Sequence, residues 1–163
     1  MPLLDDIATY MAAQSTAFTI LSGTAGNMTK GFMPDAAPAP DTCTALYETG
    51  GLPPTHTFST AAYGTLYFEN PRLQVLTRSS SYVTARDLAD KAFKLLDGVT
   101  GTVLPTSAGS LYIDISAVQS PFSIGRDENN RHLISVNFDV MKTVAGSVGD
   151  VGAFDSGFTG GFA

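Results

Sequence analysis

Apolar residues at the start of the chain recur at the spacing of an amphipathic helix. The positions i, i+3, i+4 and i+7 are occupied by Leu4, Ile7, Ala8 and Met11. This spacing places the four side chains on one helical face, which can be buried. Asp5 and Asp6 suit the first turn, where acidic side chains meet the positive end of the helix dipole. We therefore predict a helix over residues 3–14.

A second helical repeat lies near the middle of the chain. Its apolar positions are Ala85, Leu88, Ala89, Ala92, Leu95 and Leu96. The opposite face carries two acid-before-base pairs at i and i+4, Asp87–Lys91 and Asp90–Lys94. Such pairs support an exposed helix surface, and Gly98 stands where a C-terminal cap is expected. The pattern predicts a helix over residues 82–97.

Alternation of apolar and polar residues with period two predicts strands elsewhere. The predicted strands are a short one at 18–21 and longer ones at 43–48, 72–78, 111–118 and 132–141. The segments that read as loops or irregular structure are 22–42, 52–66 and 119–131. Glycine and proline punctuate chain segments, so we expect the strand at 43–48 to be stopped by Gly50-Gly51 and Pro53-Pro54. The link at 119–131 is longer than a hairpin turn and is expected to make contacts of its own.

Three of these strands have one apolar and one more polar face. The predicted inward positions are Leu73, Val75 and Thr77; Leu111, Ile113, Ile115 and Ala117; and Ile134, Val136, Phe138 and Val140. The outward positions are Arg72, Gln74, Leu76 and Arg78; Tyr112, Asp114 and Ser116; and Ser135, Asn137 and Asp139. The order helix–strand–strand–helix–strand–strand predicts an α+β fold, with two α-helices packed on one face of a mostly antiparallel β-sheet and long loops. The other face of the sheet is expected to meet water or a lumen.

The composition changes near the C-terminus. We divide the chain into an α+β domain over 1–144 and an extended Gly/Phe-rich C-terminal arm over 145–163, whose six glycines make a helix unfavourable. The arm carries Phe154, Phe158 and Phe162. One interpretation is a frayed terminus. The other is a flexible arm whose phenyl rings dock on a neighbouring subunit, since three exposed rings would be costly.

Composition narrows the class of protein. Apolar residues make up 44% of the chain, which is typical of a globular domain, whereas charged residues make up only 15%. Neutral surface is often subunit contact area. The net charge of −6 argues against sequence-independent binding to nucleic acid. No stretch has the length of a membrane span and no export signal is visible, so we expect a soluble protein made in a reducing cytoplasm.

The densest polar cluster is GRDENNRH, residues 125–132. Asp127 and Glu128 could in principle bind a hard cation, but adjacent carboxylates are also common on solvated turns. Arg126 and Arg131 flank them and would neutralise a cation site, so ion pairs within or between chains are the better use of these groups.

No strong catalytic or cofactor-binding motif is present. The glycine run at 146–152 cannot be a phosphate loop, because no helix can follow it. His56 and His132 lack a second ligand at metal-binding spacing, and we expect a structural or surface role for both. Cys43 is expected to be a small buried hydrophobe. We therefore predict no catalytic residue, no metal and no cofactor.

Several segments, taken in order, resemble the minor capsid or tail terminator proteins of long-tailed bacteriophages. These segments are MPDAAPAPD (33–41), LYETGG (46–51), PRLQVLTRSSSY (71–82), ARDLADKAFKLLDG (85–98) and SPFSIGRDENNRHLISVNFDV (120–140). The resemblance covers about residues 1–141. It implies a sheet flanked by helices, in agreement with the fold expected from the pattern.

The resemblance also implies a non-enzymatic virion protein at the head-proximal end of the tail, assembled in the host cytoplasm. Such proteins form a six-subunit ring that caps the tail tube, ends its polymerisation and contacts head-completion or neck proteins. DNA only passes through the lumen, which a negative charge would favour, and no membrane is involved. Alternatives are another neck component (a head–tail joining or stopper protein), a small hydrolase working through Asp127, Glu128 and His132, or a bacterial protein with a chance resemblance.

Candidate interface and lumen residues follow from these expectations. The residues assigned to a subunit or partner interface are Arg126, Asp127, Glu128, Arg131, Arg72, Arg78, Phe154, Phe158 and Phe162. The residues assigned to the lumen are Asp114 and Asp139, because they lie on the wetter sheet face. An equally weighted alternative is that Arg131 and Glu128 only stabilise their own loop.

Overall fold

Two α-helices and seven β-strands form the part of the chain that this computed structural model describes, residues 3–23, 25–35, 40–56, 67–105 and 110–143. The elements in chain order are α1 (Leu3–Gln14), β1 (Met28–Lys30), β2 (Cys43–His56), β3 (Tyr67–Ser79), α2 (Tyr82–Leu96), β4 (Val99–Leu104), β5 (Ser110–Ala117), β6 (Phe122–Arg126) and β7 (His132–Thr143). The predicted α+β class is confirmed. The proposed arm at 145–163 lies outside the described residues.

The strands form one sheet that curves into a half-barrel. Its order is β1-β2-β3-β7-β5-β4, and all neighbours are antiparallel except β1 and β2. Strand β7 is central: one edge pairs with β3, and the other edge pairs with β6 along its first part and with β5 along its second. The region that carries the densest polar cluster therefore lies beside the start of the central strand.

Both helices pack on the same face of the sheet around one hydrophobic core. The core includes Ile7, Ala8 and Met11 of α1, Leu88, Ala92 and Leu96 of α2, and Val75, Ile134, Val136 and Phe138 of the sheet. Both helix predictions are confirmed to within one residue. Helix α2 begins after Ser81, whose hydroxyl accepts a hydrogen bond from the Thr84 amide as an N-cap. The four predicted inward positions of β7 are all buried.

Strand β2 continues where we expected it to stop. It extends through Gly50-Gly51 and Pro53-Pro54 to His56, with register shifts against β3 on both sides of Leu52. A Cβ atom at position 51 would lie 1.9 Å from the Asn70 carbonyl oxygen, so only glycine allows this close approach. The prolines are tolerated because β1 pairs with only three residues near the start of β2, which leaves this part of β2 at a sheet edge where no ladder amide is required.

Three short strands, β1, β4 and β6, lie in segments that we did not predict to be strands. They contain three, six and five residues. All five residues of β6 are exposed, so this strand has no buried face, and its apolar alternation is limited to Phe122 and Ile124. The strand predicted at 18–21 is reduced to an isolated bridge between Ile20 and Met28.

The predicted alternation of β5 is wrong around Tyr112. A register shift between Tyr112 and Asp114 interrupts its pairing with β7. As a result Tyr112 is fully buried on the helix side, whereas the predicted inward residues Leu111 and Ile113 are only half-buried. A bulge adds one residue to a strand and reverses the faces beyond it, which period-two reasoning cannot anticipate.

Candidate functional site

The polar cluster at 125–132 forms a tight turn between β6 and β7. The Asp127 carboxylate accepts hydrogen bonds from the amides of Asn129 (3.0 Å) and Arg131 (2.9 Å). The Asn130 amide donates to the Asp127 carbonyl at 2.9 Å, and Asn130 has a φ of 59°. Asparagine is among the few residues that adopt this left-handed conformation readily. The turn is therefore built by its own aspartate and asparagine side chains.

Arg131 connects this turn to the proline-rich loop that precedes β2. Its Nε donates to Asp127 Oδ2 at 2.7 Å, and its Nη2 donates to Asp35. Asp41 lies 3.6 Å from Nη1 of the same guanidinium. The residue is only 6% exposed, and a planar guanidinium is well suited to bridge two carboxylates in this way.

Arg78 lies beneath the same loop and is 1% exposed. Its Nη2 donates to the Pro40 carbonyl at 3.3 Å, and its Nη1 lies 3.6 Å from Asp35 and 4.0 Å from Asp127. Within the described residues its Nε has no hydrogen-bond partner. Arg78 lies on the predicted outward face of β3, but its expected exposure to water is wrong, because the loop covers this end of that face.

The hydrogen bonds between Asp127 and Arg131 favour the charged forms of these two groups. Burial on its own would raise the pKa of Asp127, but hydrogen bonds from the Arg131 backbone and guanidinium outweigh it and the pKa is lowered. Burial acts to lower the pKa of Arg131, whereas its hydrogen bonds to Asp127 and Asp35 raise it. We name Arg78, Arg131, Asp35, Asp41 and Asp127 the arginine–aspartate cluster. Asp35 and Asp41 were not singled out from the sequence, and their only local signal is a proline-rich setting.

Two candidate residues of the turn lie outside this cluster at the surface. Arg126 ends β6, is exposed, and donates from Nη1 to Asn130 Oδ1 at 2.6 Å. Glu128 is exposed within the turn. Within the turn, Arg131 pairs with Asp127. Whether any of these residues contacts another subunit stays a prediction.

The remaining part of the same sheet face is open. Arg72 on β3 and Asp139 on β7 are register partners, and their side chains form an ion pair at 2.6 Å with each about 45% exposed. Gln74 donates to the Ser135 hydroxyl at 2.9 Å. Asp114 lies on the same face opposite Met141. These residues share one face, as expected; that this face lines a lumen stays a prediction.

A buried polar pair connects α1 to the sheet. The Tyr112 hydroxyl donates to Asp6 Oδ2 at 2.8 Å, and both residues are fully buried. Burial raises the pKa of Asp6, and the Tyr112 hydrogen bond acts in the opposite direction. Burial also raises the pKa of Tyr112, and the Asp6 carboxyl adds to that effect. Sequence reasoning missed this pair, because the two residues are 106 positions apart.

Cys43 and His132 both pack against neighbouring side chains. Cys43 is buried, as expected for a small hydrophobe; its Sγ lies 2.9 Å from Met33 Sδ, and burial raises its pKa. The ring of His132 packs edge-on against Tyr82 with centroids 5.5 Å apart. Within the described ranges no group of three or more potential metal ligands occurs, and no helix there is long and apolar enough to span a membrane.

Exposed apolar side chains lie on β6 and shortly before it. Val118, Phe122 and Ile124 are 50%, 40% and 47% exposed. Strand β6 pairs with β7 alone, so its other edge has no strand partner among the described residues. We call this region the β6 edge. Unpaired backbone groups beside exposed apolar side chains are the features of a protein-contact surface.

These features define a small α+β fold whose charged groups stabilise loops and whose β6 edge carries exposed apolar side chains. Comparison with known families identifies it further: residues 15–144 match the bacteriophage tail terminator protein family, and the chain belongs to that family. It is accordingly a structural protein of the phage virion, of its tail or neck. The resemblance inferred from the ordered segments is confirmed.

A solved chain from a virion of a native gene transfer agent particle has a similar fold. The TM-score is 0.53 at 14% sequence identity, with 87% of this chain and 95% of that chain covered. At this identity the similarity establishes the shared fold. The comparison with curated proteins finds no match.

Proposed function

We propose that this protein forms a ring that caps the phage tail tube, ends its polymerisation and contacts the head-side neck proteins. The observation that carries the proposal is the family match over residues 15–144. The ring is expected to contain six copies and to have no catalytic role. Its partners are further copies of itself, the tail tube protein and a head-completion or neck protein, and DNA passes through its lumen.

The β6 edge supports the proposed subunit contact. Its five strand residues are all exposed, and it lacks the prolines that protect the outer part of β2 against pairing. A strand or loop of the neighbouring copy can pair with this edge and cover Phe122 and Ile124. Arg126 and Glu128 then form the polar rim of the interface.

The arginine–aspartate cluster contributes indirectly in this proposal. Arg131, Asp127 and Arg78 fix the turn and the adjoining loop, so that the β6 edge has one defined shape before subunits meet. A preformed surface loses less conformational entropy on association. The open face with Asp114 and Asp139 is placed toward the lumen, where negative charge would repel passing DNA.

The contacts of the polar cluster support a structural role over hydrolysis. Both Asp127 carboxylate oxygens accept hydrogen bonds from Arg131. The His132 ring packs on Tyr82. A general base needs a free lone pair directed at a substrate, and the engaged Asp127 carboxylate is poorly suited to that task.

The decisive experiment combines the protein with the tail tube protein of the same phage. We expect rings with a central hole in negative-stain images, and tubes whose growth stops when the rings are added. A ring that binds a head-side protein but leaves tube growth unchanged would instead identify a joining or stopper component. A monomer that is indifferent to both partners would overturn the proposal.

Matched variants test the β6 edge in the same assay. Ile124→Asp should leave the monomer folded and abolish the ring, because it places an unpaired charge in the contact. Arg126→Glu should weaken the ring less. Val83→Asp is the control, since Val83 is 74% exposed and belongs to helix α2, not to β6. Light scattering after size exclusion that shows intact rings for Ile124→Asp would exclude this edge from the interface.

A further inference from the structure

A groove on the open sheet face lies beside the end of β7. Its volume is about 130 Å³, and the residues that line it are Leu52, Asn70, Asp114, Asp139, Val140 and Met141. An enclosed cavity of roughly 150 Å³ holds a benzene ring, so this open groove is large enough to cover one face of a phenyl ring while the other face stays toward solvent. The aliphatic side chains on this face are Leu52 of β2 and Met141 of β7; Val140 borders the groove through its backbone, because its side chain is buried in the core. Asn70, Asp114 and Asp139 complete the lining.

The backbone around Leu52 determines where its side chain lies. It lies between the two register shifts of β2 and directly follows Gly51, where any side chain would collide with the Asn70 carbonyl. Asn70 Nδ2 donates to the Pro53 carbonyl at 2.7 Å and to Thr55 Oγ1 at 3.0 Å. These contacts fix a leucine that is 61% exposed at the mouth of the groove. A large aliphatic side chain held in this position favours an apolar occupant.

The chain itself supplies a suitable occupant. The structure describes β7 up to Thr143, two residues beyond the groove residue Met141. The sequence continues for 20 residues and includes Phe154, Phe158 and Phe162 among six glycines. A glycine-rich chain of about ten residues has an end-to-end distance of roughly 15–20 Å, which is ample to return to a groove beside its starting point.

We propose that the phenyl ring of Phe154 binds in this groove of its own chain. Phe154 has the shortest connection of the three phenylalanines, and closing a shorter loop costs less entropy. The tether gives the ring an effective concentration near the millimolar range, so its own groove competes well against that of another copy at micromolar protein concentrations. This inference does not depend on ring formation, and it assigns the segment a site in its own chain in place of the neighbouring subunit considered from the sequence.

Cross-linking in the full-length protein tests the proposal. The single native cysteine is buried and is first removed by Cys43→Ala. Asp114→Cys at the groove rim is then combined with Ala153→Cys, beside Phe154, and treated with a short bifunctional thiol reagent at micromolar protein concentration. We expect an intrachain cross-link that forms at least tenfold faster than in the control, Val83→Cys with Ala153→Cys.

Two further variants make the result specific to the phenyl ring and the groove. Adding Phe154→Ala or Leu52→Asp to the rim pair should reduce the rate to that of the control. Equal rates for the rim pair and the control would overturn the proposal, as would a fast rate that survives both added changes. A cross-link formed mainly between two chains, each carrying one of the cysteines, would overturn the assignment to the same chain.

Discussion

Two arginines on one strand show how differently the same residue type is used across this sheet. Arg72 and Arg78 lie on the same face of β3, six positions apart. Arg72 is half-exposed and pairs with Asp139 alone, whereas Arg78 is 1% exposed and lies near Asp35, Asp127 and a backbone carbonyl. The difference arises because the loop before β2 and the turn before β7 cover only one end of the face.

Exposed and buried ion pairs differ in how much they contribute to the free energy of folding. Exposed pairs contribute about 0.2–1 kcal/mol, because water screens the charges and the side chains lose freedom. Hydrogen bonds to charged groups that are shielded from water are stronger, roughly 1.5–3 kcal/mol each. Within the arginine–aspartate cluster this applies to Arg131 and Asp127, whose side chains are 7% and 18% exposed, whereas Asp35 and Asp41 are 64% and 74% exposed. The Arg72–Asp139 pair is an exposed pair throughout.

The largest effect is expected from Arg131→Ala. The change removes hydrogen bonds to Asp127 and Asp35 and should lower the free energy of unfolding by about 2–3 kcal/mol, measured by urea denaturation. Hydrogen exchange should accelerate at the Asn130 amide, which closes the turn. Arg72→Ala is the matched control and should cost less than about 1 kcal/mol. Equal losses for the two variants would contradict the comparison.

The dependence of stability on pH should differ between Asp127, in the cluster, and Asp6, the buried carboxyl of α1. Their folded pKa values are shifted in opposite directions. Because the folded pKa of Asp127 is lowered, its contribution is complete above the unfolded pKa of about 3.9 and is lost as the pH falls through the lower, folded pKa. The folded pKa of Asp6 is raised, so its contribution is complete below the unfolded pKa and is lost as the pH rises through the folded pKa.

Substitution by asparagine should reveal these opposite signs. Asp127→Asn should lower the stability at pH 7 by about 1 kcal/mol and reduce the loss on acidification below pH 4. Asp6→Asn should leave the stability at pH 7 unchanged or higher, because a buried charge is removed, and should abolish a gain on acidification toward pH 4. Urea midpoints between pH 3 and 7 measure both. A loss at pH 7 as large for Asp6→Asn as for Asp127→Asn would contradict the assignment.

Long elements with one buried face were predictable from the sequence, whereas short strands were not. Helices α1 and α2 and strand β7 bury one face along their length, so the pattern of apolar residues located them. Strands β1 and β6 are short, and β6 is exposed throughout. Their formation depends on neighbouring strands that offer backbone partners, which is tertiary information.

The candidate site was predictable only in its local part. The i, i+4 contact between Asp127 and Arg131 lies within one turn, and both residues belong to the polar cluster that stands out in the sequence. Asp35 lies 96 positions from Arg131, and nothing in its proline-rich surroundings indicates that partner. The burial of Arg78 likewise depends on where the loop crosses the sheet, because alternation specifies a face but not whether that face is covered.

The smallest effect is expected for the exposed Arg72–Asp139 pair. Its coupling energy can be compared directly with that of the Arg131–Asp127 pair. A double-mutant cycle with Arg72→Ala and Asp139→Ala should give a coupling energy of about 0.5 kcal/mol. Raising the salt concentration to 1 M should remove most of it, since the Debye length falls to about 3 Å. The matched cycle with Arg131→Ala and Asp127→Ala should retain most of its coupling in the same salt, because its charges are shielded from solvent. If both couplings vanish together, shielding by the covering loop is not what distinguishes the two ends of the sheet.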